Sequence, residues 1–436
     1  MVAAHRLHAV SALAALALAV PLGAKPPPMI NISPAPIPVA PPAPVATKTV
    51  PRIFLSADGE TVYIVGTIMD DAFLRVDALL QRAPKVKRVY LASIGGLTLE
   101  GRLIAALVRK RHLDTYVEHY CASACTQIFV AGRERVLGPE AQLGFHQAVG
   151  VDESGETSAL AAASSRRLTP LSVFGINGND TLRLAYEQAG IDQPFITKAL
   201  ARGHDDMWLP TTAELVAAHV ITRRTAQPEL AAPEGSRSRA ELTSMVQRRP
   251  LWRAAQTVLP GAYADALNDA WRRANTGSEV EGAIASGRGE IVIAAWPMLA
   301  AASDSVLDRM LALYAGSAKV QRAQGYPMCK ETIEDDADSS MNPLDASFEA
   351  SEDALLVELF GSAERGKALS QKDARKVFER DVAPVMLQSY YATDTKSTSS
   401  SCRLGFKIFE AIDGLPAKKR VTAYRALLTL PEAADS

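Results

Sequence analysis

Net charge, cysteine and aromatic residues are all scarce in this chain. It carries four cysteines in 436 residues, 6% aromatic residues and a net charge of −1. So balanced a charge gives no reason to expect nucleic acid or an anionic membrane surface as a partner. There is no internal repeat, no basic run and no phosphate-cradling glycine loop ending in Lys-Ser or Lys-Thr, so a self-contained ATPase is not expected. The histidines are scattered. His112, His119, His204 and His219 show no zinc-ligand spacing, and neither a metal nor a cofactor is expected. The apolar run from Ala9 to Val20 is shorter than the ~20 residues a membrane span requires.

What is present is globular: 48% hydrophobic and 22% charged residues, in a chain long enough for two cores plus tails. His5, Arg6 and His8 precede the Ala9–Val20 run, and Pro21 then breaks it before the small residues Gly23 and Ala24. That order reads as a secretory signal over residues 1–24 and implies export, to the periplasm or beyond, in a bacterium. If the segment stays uncleaved it becomes a membrane tether. No cysteine follows it to take a lipid. Residues 25–50 are rich in Pro and Ala, favour extended polyproline II, and read as a spacer.

From Arg52 strands and helices alternate. Thr61–Val65, Arg88–Ala92 and Thr115–Val117 read as strands, and Asp71–Arg82 and Thr98–Lys110 as helices, which predicts a largely parallel sheet flanked by helices. Residues 149–178 turn polar and small and read as a loop or weak helix over a site. The first domain is expected to span 51–225, with Pro228, Pro233 and Gly235 marking a linker at 226–237. Residues 238–436 read as an all-helical domain, with Val306, Met310 and Leu313, and Leu355, Leu359 and Phe360, at helical spacing.

Three segments of the first domain combine into chemistry. Ser93-Ile94-Gly95-Gly96 closes a strand, and paired glycines let backbone N–H groups approach a ligand. Cys121-Ala122-Ser123-Ala124-Cys125 begins a helix of small and apolar residues that Gly132 ends. A serine at a helix start can attack a carbonyl while the next N–H, of Ala124, receives the developing oxyanion. The same serine can equally be an ordinary helix cap. Leu143-Gly144-Phe145-His146-Gln147 reads as a strand carrying His146, suited to take the serine proton near neutral pH.

Together these residues resemble the ClpP/crotonase superfamily, and within it exported ClpP-like serine peptidases with a Cys-x-Ser-Ala-Cys motif. The family pattern is a Ser-Pro-Gly-Gly strand end, a helix starting at the nucleophile, Ala-Gly eight and nine residues on, then His-Gln. Ser93–Gly96, Ser123, Ala131-Gly132 and His146-Gln147 follow it over about Arg52 to Thr222, with Ile94 in place of the proline. The resemblance implies an α/β domain of the ClpP/crotonase-like ββα spiral type followed by the helical domain. It implies Ser123 as nucleophile, His146 as base, Asp206 (or its neighbour Asp205) as third triad member, and an oxyanion hole from Gly95, Gly96 and Ala124. It also implies homo-oligomers acting on peptides or unfolded protein. Two other readings stay open: a non-catalytic binding protein on this fold, and thiol redox chemistry at Cys121 or Cys125. Residues four apart in a regular helix have Cβ atoms ~5–6 Å apart, too far for a disulfide, so a Cys121–Cys125 bridge requires Cys121 ahead of the helix. Cys329 and Cys402 are either a second bridge or separate thiols.

Overall fold

The structure is a computed structural model that describes residues 52–148, 150–151, 157–158, 178–203, 206–326, 343–384 and 398–430. The expected signal, the spacer, most of the 149–178 segment, His204, Asp205 and Cys329 lie outside these residues. The chain forms two compact units. One comprises Lys48–Ser244 with Leu267–Ala285, the other Met245–Ala266 with Ser286–Ser436.

The first unit is mixed α/β with a mostly parallel sheet. Strand β1 (Arg52–Leu55) pairs antiparallel with β2 (Thr61–Val65). The remaining strands of this sheet are parallel: β3 (Arg88–Ser93), β4 (Asp114–Ala122), β5 (Arg135–Leu137), β6 (Gln142–Gly144) and, after a short two-stranded β7–β8 pair (Gly150–Val151 and Thr157–Ser158), β9 (Arg223–Arg224). Both faces are covered, so β2 reads as an unbroken apolar run rather than an alternation. The alternation survives in where the side chains go. Val62, Ile64, Val89, Leu91 and Val117 enter a large core, while Tyr63, Val65, Tyr90, Ala92 and Tyr116 line the opposite face.

Helices α1 (Ala72–Arg82), α2 (Thr98–Lys110) and α3 (Ala124–Val130) contribute Val76, Leu80, Ile104, Val108, Ile128 and Phe129 to that large core. Each such side chain, fully buried, is worth about 1.5–3 kcal/mol. Further along come α4 (Gly178–Gln188), α5 (Gln193–Leu200) and α6 (Thr212–Ala217). A reciprocal capping box between Thr211 and Glu214 starts α6.

Two features depart from the sequence expectation. First, β4 runs to Ala122, well past the expected Val117, and its register with β3 shifts between Leu91/Val117 and Ser93/Cys121. The extra residues carry Glu118 and His119 into the interior, where polar side chains disguise the strand. Second, the expected linker at 226–237 is a strap on the opposite face of the sheet. Leu230 packs there, the Tyr63 hydroxyl donates to the Ala231 carbonyl at 3.0 Å, and the Glu229 N–H donates to the Tyr116 hydroxyl at 3.1 Å. Those tyrosines stack in register across the strands, Phe54 on Tyr63 at 4.9 Å and Tyr63 on Tyr90 at 4.8 Å. The first unit therefore extends to Ser244 and includes residues 267–285.

The second unit is helical. Val306, Met310, Leu355, Leu359 and Phe360 are buried as their spacing predicts, while Leu313 is only half-buried. A buried Arg288 bonds Glu352 at 2.6 Å and Asp353 at 2.7 Å. Among the described residues no helix is long and apolar enough to cross a membrane.

Candidate functional site

Parallel strands β3, β4 and β6 all end at the same edge of the sheet, where α/β proteins commonly hold ligands. Ser123 sits on the turn between β4 and α3. Its backbone has φ 52° and ψ −126°, a region glycine occupies easily and other residues only at about 1–3 kcal/mol. An ordinary helix-capping serine has extended backbone and a hydroxyl bonded to the first turn. Ser123 has neither: its side chain makes no cap hydrogen bond.

Several contacts hold this turn. The Ser123 N–H donates to the Gly144 carbonyl at 3.0 Å, two residues before His146. The Ser123 carbonyl accepts from the Thr126 N–H at 2.9 Å and the Thr126 hydroxyl at 2.6 Å. The Tyr186 hydroxyl lies 2.7 Å from the Thr126 oxygen. Thr126 has a single hydroxyl proton, already given to Ser123, so Tyr186 is the donor. Burial pushes the Tyr186 phenol well up and keeps it protonated for that role. Neither Thr126 nor Tyr186 stood out in the sequence. Thr126 three residues after a helix-start serine was the available signal, while Tyr186 lies sixty residues away.

The glycine loop abuts the serine. Gly95 has φ 108°, and a Cβ added there would lie 2.6 Å from Ser123 Cβ, 2.8 Å from the Ala122 carbonyl and 3.1 Å from Ala124 N. Gly96, at φ 136°, lies so close to Ile68 that a Cβ would meet its carbonyl oxygen at 2.1 Å. The Ile68 N–H donates to Gly95 O at 2.7 Å, and the Leu97 N–H to Ile68 O at 2.8 Å. The Gly95 N–H, expected to face an oxyanion, is bonded to the Ser93 hydroxyl at 3.0 Å. Ala124 supplies the first helical N–H, which has no partner within the helix.

His146 is buried and directly follows the β6 extension. Phe145 bridges antiparallel to Trp208, each N–H donating to the other's carbonyl at 2.9 Å, and the Gln147 N–H donates to Arg202 O at 2.9 Å. Arg202 and Trp208 thus flank the histidine through the backbone of its two neighbours, Gln147 and Phe145, and Met207 Sδ lies against Gly144. Phe145 turns into the core against Phe195 at 5.1 Å and Trp208 at 6.1 Å, so by strand alternation His146 takes the other face, that of Gly144. Asp206 stands in this segment, but its carboxylate is 62% exposed and bonded to Arg202 at 2.7 Å. A carboxylate that orients an imidazole has to be shielded and aimed at it; the Asp206 side chain is exposed and engaged by Arg202, and its alternative, Asp205, lies outside the described residues.

Cys121 and Cys125 form a disulfide with Cα atoms 5.5 Å apart. Cys121 is the penultimate residue of β4 and Cys125 lies in the first turn of α3, which meets the requirement that Cys121 precede the helix.

The fold and site define an α/β protein with a strained strand–serine–helix turn, a tight glycine loop and a buried histidine at one sheet edge. No family model and no curated protein matches the chain. Among solved structures, a single-site mutant of ClpP1 from Listeria monocytogenes matches at 19% identity, over 39% of this chain and 94% of that chain, with a TM-score of 0.30. At that score the likeness carries no argument of its own.

Proposed function

We propose that this chain is an exported serine hydrolase of the ClpP-like type, cleaving peptides or unfolded protein segments through an acyl-enzyme. Ser123 attacks the carbonyl, and His146 takes its proton and returns it to the leaving amine. The Ala124 N–H receives the oxyanion, with Gly95 and Gly96 shaping the wall opposite. Water, activated by His146, then releases the acyl group. The observation that carries this reading is the conformation of Ser123. It holds a costly backbone geometry without using its hydroxyl as a cap, and such strain is characteristic of a nucleophile turn. The sequence pattern from Ser93 to Gln147 supports the peptidase class. Export rests on the basic–apolar–small order of residues 1–24. Homo-oligomerisation, and tethering through an uncleaved segment, follow only from that resemblance and that segment.

Two observations favour a second reading, a non-catalytic binding protein on the same fold: the Gly95 N–H is bonded to Ser93, and Asp206 is bonded to Arg202. Fluorophosphonate labelling of the purified protein, beside Ser123→Ala and His146→Ala, separates the two. The hydrolase is labelled, and both variants lose labelling. A folded wild-type protein that resists labelling between pH 6 and 9 sinks the hydrolase and leaves the binding protein.

A further inference from the structure

We propose that the Cys121–Cys125 disulfide is a positioning clamp for Ser123, one that sets the geometry of acyl transfer and has little to do with holding the sheet together. The inference rests on the reading of Ser123 as nucleophile and adds what keeps it competent.

The bridge joins the two elements whose junction is Ser123. Cys121 is held in the sheet on both sides, paired with Ser93 of β3 and Leu143 of β6. Cys125 is locked in α3, and both cysteines are fully buried in the large core. A ring spanning a separation of four residues is a poor device for global stability, because the loop-closure benefit grows with loop length. It is well suited to fixing the backbone of the three residues inside it.

Those residues need fixing. Without a clamp, the lower-energy course for a serine at a helix start is an extended backbone with its hydroxyl on a first-turn N–H. In that state Ser123 would cap α3 and leave the site. The structure shows the opposite arrangement: φ 52°, no cap bond, the N–H on Gly144 and the carbonyl on Thr126. The bridge limits how far the end of β4 and the first turn of α3 can move relative to each other, and so bars that relaxation. A 1 Å misplacement of a reacting group costs on the order of 100-fold in rate, so the expected loss on opening the ring is 10- to 100-fold.

The test compares oxidised wild-type protein, the same protein reduced under native conditions with ring opening verified by alkylation and mass mapping of Cys121 and Cys125, and a Cys121→Ala/Cys125→Ala variant. Two quantities are read on each: the bimolecular rate of fluorophosphonate labelling and amide hydrogen exchange by residue. The expected result is labelling 10- to 100-fold slower in the open forms. Exchange at residues 123–126 should rise at least tenfold while the amides of β2 and β3 keep their protection. The reduced wild-type arm stands even if the double variant fails to fold. Labelling within twofold of the oxidised protein with unchanged exchange at 123–126 overturns the clamp. So does a loss of protection spread across β2, β3 and β4, which assigns the bridge to stability instead. If oxidised wild-type protein is never labelled, the hydrolase reading fails, and the exchange comparison alone decides the clamp.

Discussion

Replacing Gly95 by alanine tests the central geometry, and Gly190 supplies its control. Both glycines have positive φ, 108° and 72°, but a Cβ on Gly190 meets nothing within 4 Å, whereas one on Gly95 would lie 2.6 Å from Ser123 Cβ and 2.8 Å from the Ala122 carbonyl. Gly190→Ala therefore carries the backbone penalty alone, about 1–2 kcal/mol. Gly95→Ala adds overpacking of about 1–3 kcal/mol, since the atoms it meets are backbone or Cβ and cannot rotate away. Reaching an ordinary carbon contact of ~3.5 Å moves the glycine loop and Ser123 apart by about 1 Å. That displacement is expected to slow acylation on the order of 100-fold. Urea denaturation and fluorophosphonate labelling rates of both variants provide the readout. Gly190→Ala should lose a little stability and label at the wild-type rate. If Gly95→Ala is as stable as Gly190→Ala and labels within threefold of wild type, the close approach of loop and serine is not as described.

Two further expectations follow from particular side chains. Asp206→Asn should label within about threefold of wild type, because its carboxylate serves Arg202 at the surface; a fall of 100-fold or more would return Asp206 to the triad. His119 is 6% exposed with its ring edge-on to Trp271 at 5.7 Å, and burial lowers its pKa from 6.5 to about 4. Above pH 6.5 it is neutral in folded and unfolded chains alike. As pH falls towards 4 the unfolded chain takes up a proton the folded one refuses, so stability drops by up to about 3 kcal/mol. His119→Leu should flatten that limb in urea midpoints taken from pH 7 to pH 4.5, and an unchanged slope would contradict the burial argument.

Much of the architecture was legible from local pattern. The bounds of α2 and β2 follow from apolar periodicity, and the start of α3 after Ser123 from a run of small residues that Gly132 ends. What stayed hidden depends on partners remote in sequence. β4 reaches Ala122 because β3 and β6 pair with its far end, although Glu118 and His119 make that stretch look unlike a strand. The 226–237 segment has a linker's composition, yet tyrosine hydroxyls on the sheet bond its backbone and make it a strap. The resemblance singled out Asp206, and tertiary contact shows its carboxylate engaged by Arg202. The sequence by itself determined three local settings, a glycine pair closing a strand, a serine at a helix start and a histidine after a short strand, because strand and helix periods are written in neighbouring residues. Only the tertiary structure decided that Ser123 is held in a conformation it would not choose alone, since Gly144, Tyr186 and the Cys121–Cys125 bridge act together across distances no local pattern records.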